Sequence, residues 1–147
     1  MPEFVVVTGA SSGIGRACVR LLAKEGFHVF AGVRRDADAD AIRAEEQLGL
    51  VPLHLDVTDP VSIAAACETV EKAVGAEGLA GLVNNAGIGV AGPLEFLPLA
   101  ELRRQLEVNV VGPVAVTQTF SPLLRRGRGR IVHIGSSSGY LSMPLVG

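Results

Sequence analysis

Phe4-Val5-Val6-Val7-Thr8-Gly9-Ala10-Ser11-Ser12-Gly13-Ile14-Gly15 stands near the start of the chain, and its two halves ask for different structures. The first half is an unbroken β-branched and aromatic run, the composition of a strand buried on both faces of a parallel sheet. The second is a glycine-rich turn that opens a helix. Ile14, Ala17, Cys18, Leu21 and Leu22 are expected on the buried face of that helix, and Gly26 as its stop. Buried strand, glycine turn and helix together form a phosphate-binding arrangement. Gly9 permits the tight turn, and the later glycines allow a pyrophosphate to come close. The helix N-terminus offers unpaired N–H groups and the positive end of its dipole. The spacing is Gly-x-x-x-Gly-x-Gly, one residue longer before the second glycine than the general dinucleotide fingerprint. From these residues alone, a glycine-rich turn without a ligand stays open as the alternative.

Outward from this stretch the same alternation repeats. Strands are predicted at Val29–Val33, Val51–Leu55, Leu79–Val83 and Arg130–Ile134. Between the second and third lies a polar stretch with Ile42 and Leu48 as sparse helical anchors. Asp59 is placed to cap the next helix, with Pro60 in its first turn. That helix carries Ile63, Ala66, Cys67, Val70 and Val74 on one face. A long helix is expected from about Glu101 to Leu124. Strictly alternating strand and helix argues an α/β fold with a doubly wound parallel sheet, in the order 3-2-1-4-5 that right-handed crossovers impose. No linker interrupts the pattern, so residues 1–147 read as one dinucleotide-binding domain.

Composition narrows the function classes. The 147 residues are 48% hydrophobic and 19% charged, with 18 glycines and a formal net charge of −2. That is ample apolar material for a core, and it excludes disordered and collagen-like classes. Neither a nucleic acid nor a membrane surface is implied as partner. The basic run Arg125, Arg126, Arg128 and Arg130 lacks interleaved aromatics and reads as a solvated turn. Cys18 and Cys67 cannot form a disulfide framework, and no signal peptide or apolar span is seen; a cytoplasmic setting is expected. His28, His54 and His133 are too scattered for a metal site, so none is expected.

The end of the second strand bears on which dinucleotide fits. An NAD site usually has an acidic residue there to meet the ribose hydroxyls. Here the sequence is Gly32-Val33-Arg34-Arg35. A guanidinium suits a 2′-phosphate and has no use for a bare pair of hydroxyls. Arg34 is therefore expected to select NADP over NAD. The alternative is that Arg34 and Arg35 merely solvate a loop while Asp36 or Asp38 caps the next helix.

Further segments carry a resemblance that spans the whole chain. Thr8-Gly9-Ala10-Ser11-Ser12-Gly13-Ile14-Gly15, Leu55-Asp56-Val57, Asn84-Asn85-Ala86-Gly87, Asn109 and the serines 136–138 resemble, in order and in placement, the signatures of the short-chain dehydrogenase/reductase family. The resemblance implies a cofactor turn formed by Thr8, Gly9, Ser11, Ser12, Gly13, Ile14 and Gly15. It also implies an adenine-contacting segment at Asp56 and Val57, and a stretch along the cofactor at Asn85, Ala86 and Gly87. Catalytic roles are implied for Asn109, anchoring a water in a proton relay, and for Ser136, bonding the substrate oxygen. Pro113 and Gly112 give Asn109 independent support, because a proline four residues on has no N–H for the Asn109 carbonyl; an asparagine satisfied inside a kinked helix is the alternative. Ser138 is the rival of Ser136 and is expected to cap backbone, although all three serines could be simple turn residues. The stretches Val29–Arg34 and Gly78–Gly87 look like members acting on retinoids, hydroxysteroids or 3-hydroxybutyrate. That implies a small-molecule secondary alcohol or carbonyl as substrate, on an apolar or medium-sized skeleton. Gly92-Pro93-Leu94, Gly139-Tyr140-Leu141 and Met143-Pro144 are expected on the substrate side.

The family's acid/base is a tyrosine with a lysine one helical turn later, the lysine lowering the tyrosine pKa. Tyr140 is the one tyrosine, and Pro144 stands where the lysine would be; Lys24 and Lys72 are the two lysines. The catalytic tyrosine is expected past Gly147, which makes the chain read as the first half of such an enzyme, truncated after the fifth strand. A segment of that kind is expected to be unstable and inert alone, with an exposed edge at Ile131, Val132 and Ile134; the alternative reading is a non-catalytic NADP(H)-binding protein. The full-length protein is expected to be a homo-oligomer.

Overall fold

The structure is a computed structural model that describes residues 3–45 and 49–141. Five parallel strands form one sheet: β1 Phe4–Val7, β2 His28–Val33, β3 Leu50–His54, β4 Gly81–Asn84 and β5 Arg130–His133. Their spatial order is β3-β2-β1-β4-β5, the doubly wound order that the sequence pattern implies. Strand β1 is central, with Val6 opposite Phe30 of β2 on one side and Leu82 of β4 on the other.

Period-2 alternation along β1 divides the core between the two faces of the sheet. Val5 and Val7 join Val29, Ala31 and Val33 under helices α1 (Gly13–Lys24) and α2 (Asp36–Arg43). Val6 faces the other way, into a cluster with Phe30, Leu82 and the buried sides of α3 (Pro60–Val74) and α5 (Gly112–Arg126). Strands β1 and β2 thus have buried apolar residues on both faces, which is why they read as continuous hydrophobic runs.

The α3 expectation is met in detail. The Asp59 side chain accepts a hydrogen bond from the Val61 N–H, Pro60 sits in the first turn, and Ile63, Ala66, Val70 and Val74 are buried. Cys67 is half-buried against the same cluster. In α2, Ile42 is buried as expected, whereas Leu48 lies outside the described residues. Gly26 follows α1 with φ +91°, a left-handed stop.

Helix α1 departs from the predicted face by one position. Gly15, Val19 and Ala23 are its buried residues, flanked by half-buried Cys18 and Leu22, while Ile14 and Leu21 are about 60% exposed. The reason is close packing at Gly15, where a Cβ would overlap the Gly9 carbonyl oxygen and the Asn85 side-chain nitrogen. This contact turns the helix and leaves Ile14 facing outward.

The long helix also differs from expectation. It runs as α4 (Leu99–Leu106), a π-helical stretch Glu107–Val111, then α5. The Gly112 N–H bonds back to the Glu107 carbonyl, five residues earlier. Pro113 cannot supply an N–H to the Asn109 carbonyl, and the wider turn accommodates that loss.

Candidate functional site

At the carboxyl ends of β1, β2, β4 and β5 lies a cleft of about 690 Å³, the crevice where open α/β sheets take ligands. Its floor is built by a hydrogen-bonded junction between the turns after β1 and β4. The Thr8 hydroxyl accepts the N–H groups of Asn85 (3.0 Å) and Ala86 (2.9 Å). In return, the Asn85 side-chain amide donates to the carbonyls of Thr8 (2.9 Å) and Gly9 (3.0 Å). Gly9 has φ +66°, and a Cβ there would come within 2.7 Å of the Ala86 Cα. Only glycine meets both conditions.

Of the residues to which the resemblance gives a cofactor or catalytic role, all but Thr8, Gly13 and Gly15 border this cleft. Thr8 is buried and spends its hydroxyl inside the junction. Gly15 is the packing residue of α1, and Gly13 starts that helix with φ +54°. Gly9, Ser11, Ser12 and Ile14 form one wall, with Asn85, Ala86 and Gly87 beside them. The Ser12 side chain makes no capping bond to α1, so its hydroxyl and the first-turn N–H groups are left for an anion.

Asp56 and Val57 line the end of the cleft beyond β2. The Asp56 carboxylate takes the Thr58 N–H at 2.9 Å and the Thr58 hydroxyl at 2.7 Å. Partial burial pushes its pKa up, but these two bonds, with Arg34 and His54 nearby, outweigh that and hold it below the ordinary carboxylate value. A depressed folded-state pKa contributes stability that is present above the unfolded value, about 3.9. That stability is lost as the pH falls through the lower folded value. Asp56→Asn is therefore expected to flatten the acid limb of the melting temperature against pH below about pH 4. An unchanged acid limb would remove Asp56 from the account.

Arg34 and Arg35 have different surroundings. Arg35 is bidentate to Asp38, at 2.8 and 2.9 Å, and that bonding holds the Asp38 carboxyl below its ordinary value. Asp38 is thereby committed to Arg35 and caps no helix N-terminus. Arg34 borders the cleft with its guanidinium in no ion pair or hydrogen bond among the described residues.

On the opposite side, Asn109 lies in the π-helical stretch, bordering the cleft with Val108 and Pro113. Its side chain exchanges two hydrogen bonds with Ile88: Oδ1 accepts the N–H at 2.9 Å, and Nδ2 donates to the carbonyl at 2.8 Å. Ser136 follows β5 and borders the same space. The expected capping role of Ser138 is reversed, since the Ser136 Oγ accepts the Ser138 N–H at 3.1 Å and starts a 3-10 turn at Ser137–Gly139. Acting as an acceptor there leaves the Ser136 hydroxyl proton free to donate.

Several expectations for the substrate side do not hold. Gly92, Pro93, Leu94, Gly139, Tyr140 and Leu141 do not border the cleft, and Tyr140 is 96% exposed. Ile88, Val108 and Pro113 form the wall instead, because the Asn109 bonds draw the chain after β4 onto the helix. Met143 and Pro144 lie outside the described residues. The sequence gives no role to Gln105, and it marks Asn84 only within the Asn84–Gly87 signature and His133 only among the scattered histidines. Asn84 is buried, and its amide nitrogen lies 3.0 Å from the Thr117 hydroxyl and 3.4 Å from the His133 Nδ1. The adjacent pair Asn84-Asn85 was the available signal, one residue serving the sheet and the other the turn.

Among the described residues no group of three or more His, Cys, Asp or Glu side chains could hold a metal ion. Nor is any helix there long and apolar enough to cross a membrane. The chain is 39% identical over 140 residues to retinol dehydrogenase 5 of Mus musculus, covering 95% of this chain and 44% of that protein. It is 40% identical over 151 residues to an NADPH-dependent 3-dehydrocapnine reductase of Ornithobacterium rhinotracheale, covering 99% and 53%. The structure superposes with TM-score 0.86 and 31% identity on an NADPH-bound carbonyl reductase from chicken fatty liver, covering 94% of this chain and 61% of that one. The chain thus spans about half the length of the curated relatives it matches. Residues 3–147 match the short chain dehydrogenase family, and with the sheet order and the cleft described above, the chain belongs to that family.

Proposed function

We propose that this chain forms the dinucleotide-binding part of an NADP-dependent oxidoreductase that interconverts a secondary alcohol and a carbonyl on an apolar or medium-sized small molecule. The observation that carries the cofactor choice is Arg34, a guanidinium at the cleft that is in no ion pair or hydrogen bond among the described residues, beside an Asp38 already bonded to Arg35. A 2′-phosphate is the group such an arginine pairs with best. The glycine cradle at Gly9, where a Cβ would collide with Ala86, and the uncapped start of α1 fit a pyrophosphate. Ser11, Ser12, Asp56 and Asn85 would complete the hold on the cofactor.

The nicotinamide supplies the hydride chemistry when bound. The chain's own residues supply orientation and a hydrogen-bond donor. The Ser136 hydroxyl is free to donate to the substrate oxygen as charge develops on it. The Asn109 carbonyl, relieved of a helical partner by Pro113, is an acceptor for a relay water. Ile88, Val108 and Pro113 give the substrate side an apolar wall. Among the described residues no tyrosine–lysine pair borders the cleft, since Tyr140 stands away from it and neither Lys24 nor Lys72 lines it.

The test is a titration of NADPH and NADH by fluorescence on protein expressed from the complete reading frame, followed by a turnover assay with a 3-ketosteroid, whose reduction gives a secondary alcohol. Preference for NADPH by at least about tenfold, on the order of one charge-assisted hydrogen bond, is the expected result. Equal affinity for the two cofactors would overturn the NADP reading, and no affinity for either would overturn the dinucleotide reading altogether.

A further inference from the structure

The wall of the cleft after β4 is made of sequence with little reason of its own to hold a shape. Gly87, Gly89 and Gly92 occupy three of the positions from 87 to 92, none of them in helix or strand. No atom lies near the place where a Cβ would stand on Gly89 or Gly92, so close packing does not account for those two glycines. They add backbone freedom that something else must remove.

Three side-chain hydrogen bonds remove it, all from one face of the α4–α5 helix. Asn109 makes two of them, both to Ile88. Gln105 makes the third: its Oε1 accepts the Val90 N–H at 2.6 Å. Residues four apart share a helical face, so the two amides act side by side on alternate residues of the segment. Among the described residues no other hydrogen bond reaches the backbone of residues 87–92. Ile88 borders the cleft, whereas Gln105 does not.

We infer that Gln105 is a positioning residue. By holding the Val90 N–H it steadies the chain that runs on from Ile88, the residue of this segment against which the alcohol or carbonyl substrate is oriented, while Gln105 and Val90 themselves stand outside the cleft. The role rests on the proposed oxidoreductase reading, but the clamp itself does not. Without Gln105, Asn109 still holds Ile88, and the glycine-rich chain beyond it is released. The effect therefore falls on the substrate side and leaves the turns that Thr8 and Asn85 hold untouched.

Two variants in protein expressed from the complete reading frame test this. Gln105→Leu keeps similar bulk and removes the acceptor; Gln105→Glu keeps an oxygen that accepts the same N–H. With Gln105→Leu, the Val90 amide is expected to exchange with solvent about tenfold faster, the loss of one hydrogen bond. KM for the 3-ketosteroid rises by about the same factor, with NADPH affinity unchanged. Gln105→Glu restores both. A merely structural role would lower the melting temperature of Gln105→Leu without moving KM apart from cofactor affinity, and that result overturns the inference. Unchanged Val90 exchange in Gln105→Leu overturns it as well. A wild-type protein that does not reduce the 3-ketosteroid counts against the secondary-alcohol reading and is seen before any variant is made, in which case the exchange measurement decides for Gln105.

Discussion

Gly15→Val is expected to weaken NADPH binding by more than about a hundredfold and to lower the stability of the fold by about 1–3 kcal/mol, the usual cost of overpacking. The added Cβ alone would overlap two groups that hold the cleft floor together, the Gly9 carbonyl oxygen and the Asn85 side-chain nitrogen. Those two groups are bonded to each other at 3.0 Å, so neither can yield without breaking the junction between the turns after β1 and β4. Moving α1 outward would relieve the overlap, but it would carry the first-turn N–H groups away from the Gly9 turn and uncover Val19 and Ala23. Gly13→Ala is the control. It lies two residues earlier with open space around it, and its φ of +54° makes the substitution cost only on the order of 1–2 kcal/mol of local strain. Urea unfolding and a fluorescence titration on both variants separate the effects. If Gly15→Val binds NADPH as the wild type does, the packing account of this turn is wrong.

The contrast between Gly13 and Gly15 also shows how far the sequence could be read. Strand order followed from the alternation of strand and helix, because parallel neighbours need crossovers and crossovers have one hand. The α3 cap was legible because Asp59 and Pro60 act locally, through bonds a few residues long. The face of α1 was not legible from periodicity. Ile14 and Leu21 are as apolar as the residues that were buried in their place, and what decided between them was a long-range contact from Gly15 to Asn85. Such a contact leaves no periodic trace in the helix itself.

The same division applies to the cleft. Asn109 could be found because Pro113, four positions on, disturbs its backbone in a way sequence records. The change of helical type at Glu107–Val111 could not be specified beyond that disturbance. Gln105 gave no signal, since a glutamine on a polar helix face ordinarily meets water. Only the fold brings the Val90 N–H to it. Assigning the cap to Ser138 instead of Ser136 was a local error of another kind. Three consecutive serines offer the same hydroxyl at each position, and the backbone conformation at Ser136, φ −133° and ψ 149°, is what makes it the capping residue.

Arg34→Ser is expected to weaken NADPH binding about 10- to 100-fold, the range that 1.5–3 kcal/mol of charge-assisted bonding supplies, and to leave NADH binding within about twofold, since that cofactor has no 2′-phosphate to lose. The physical case lies in the separation of two adjacent arginines. Both are on the surface, but Arg35 already has a bidentate carboxylate partner, whereas Arg34 is in no ion pair among the described residues. Drawing Arg35 onto a phosphate would first break two bonds to Asp38 and bring that carboxylate near the phosphate it would repel. Arg35→Ala therefore has the opposite sign. It frees Asp38, an acidic side chain bordering the cleft, to accept from ribose hydroxyls, and NADH binding is expected to improve a few-fold while NADPH binding weakens. The preference for NADPH should also shrink as salt is raised from low ionic strength, because an exposed guanidinium–phosphate pair is screened. Equal loss of both cofactors in Arg34→Ser would mean that Arg34 holds the end of β2 in shape and does not read the phosphate. Measured together, the two variants separate an arginine that binds the cofactor from one that keeps a competing carboxylate occupied.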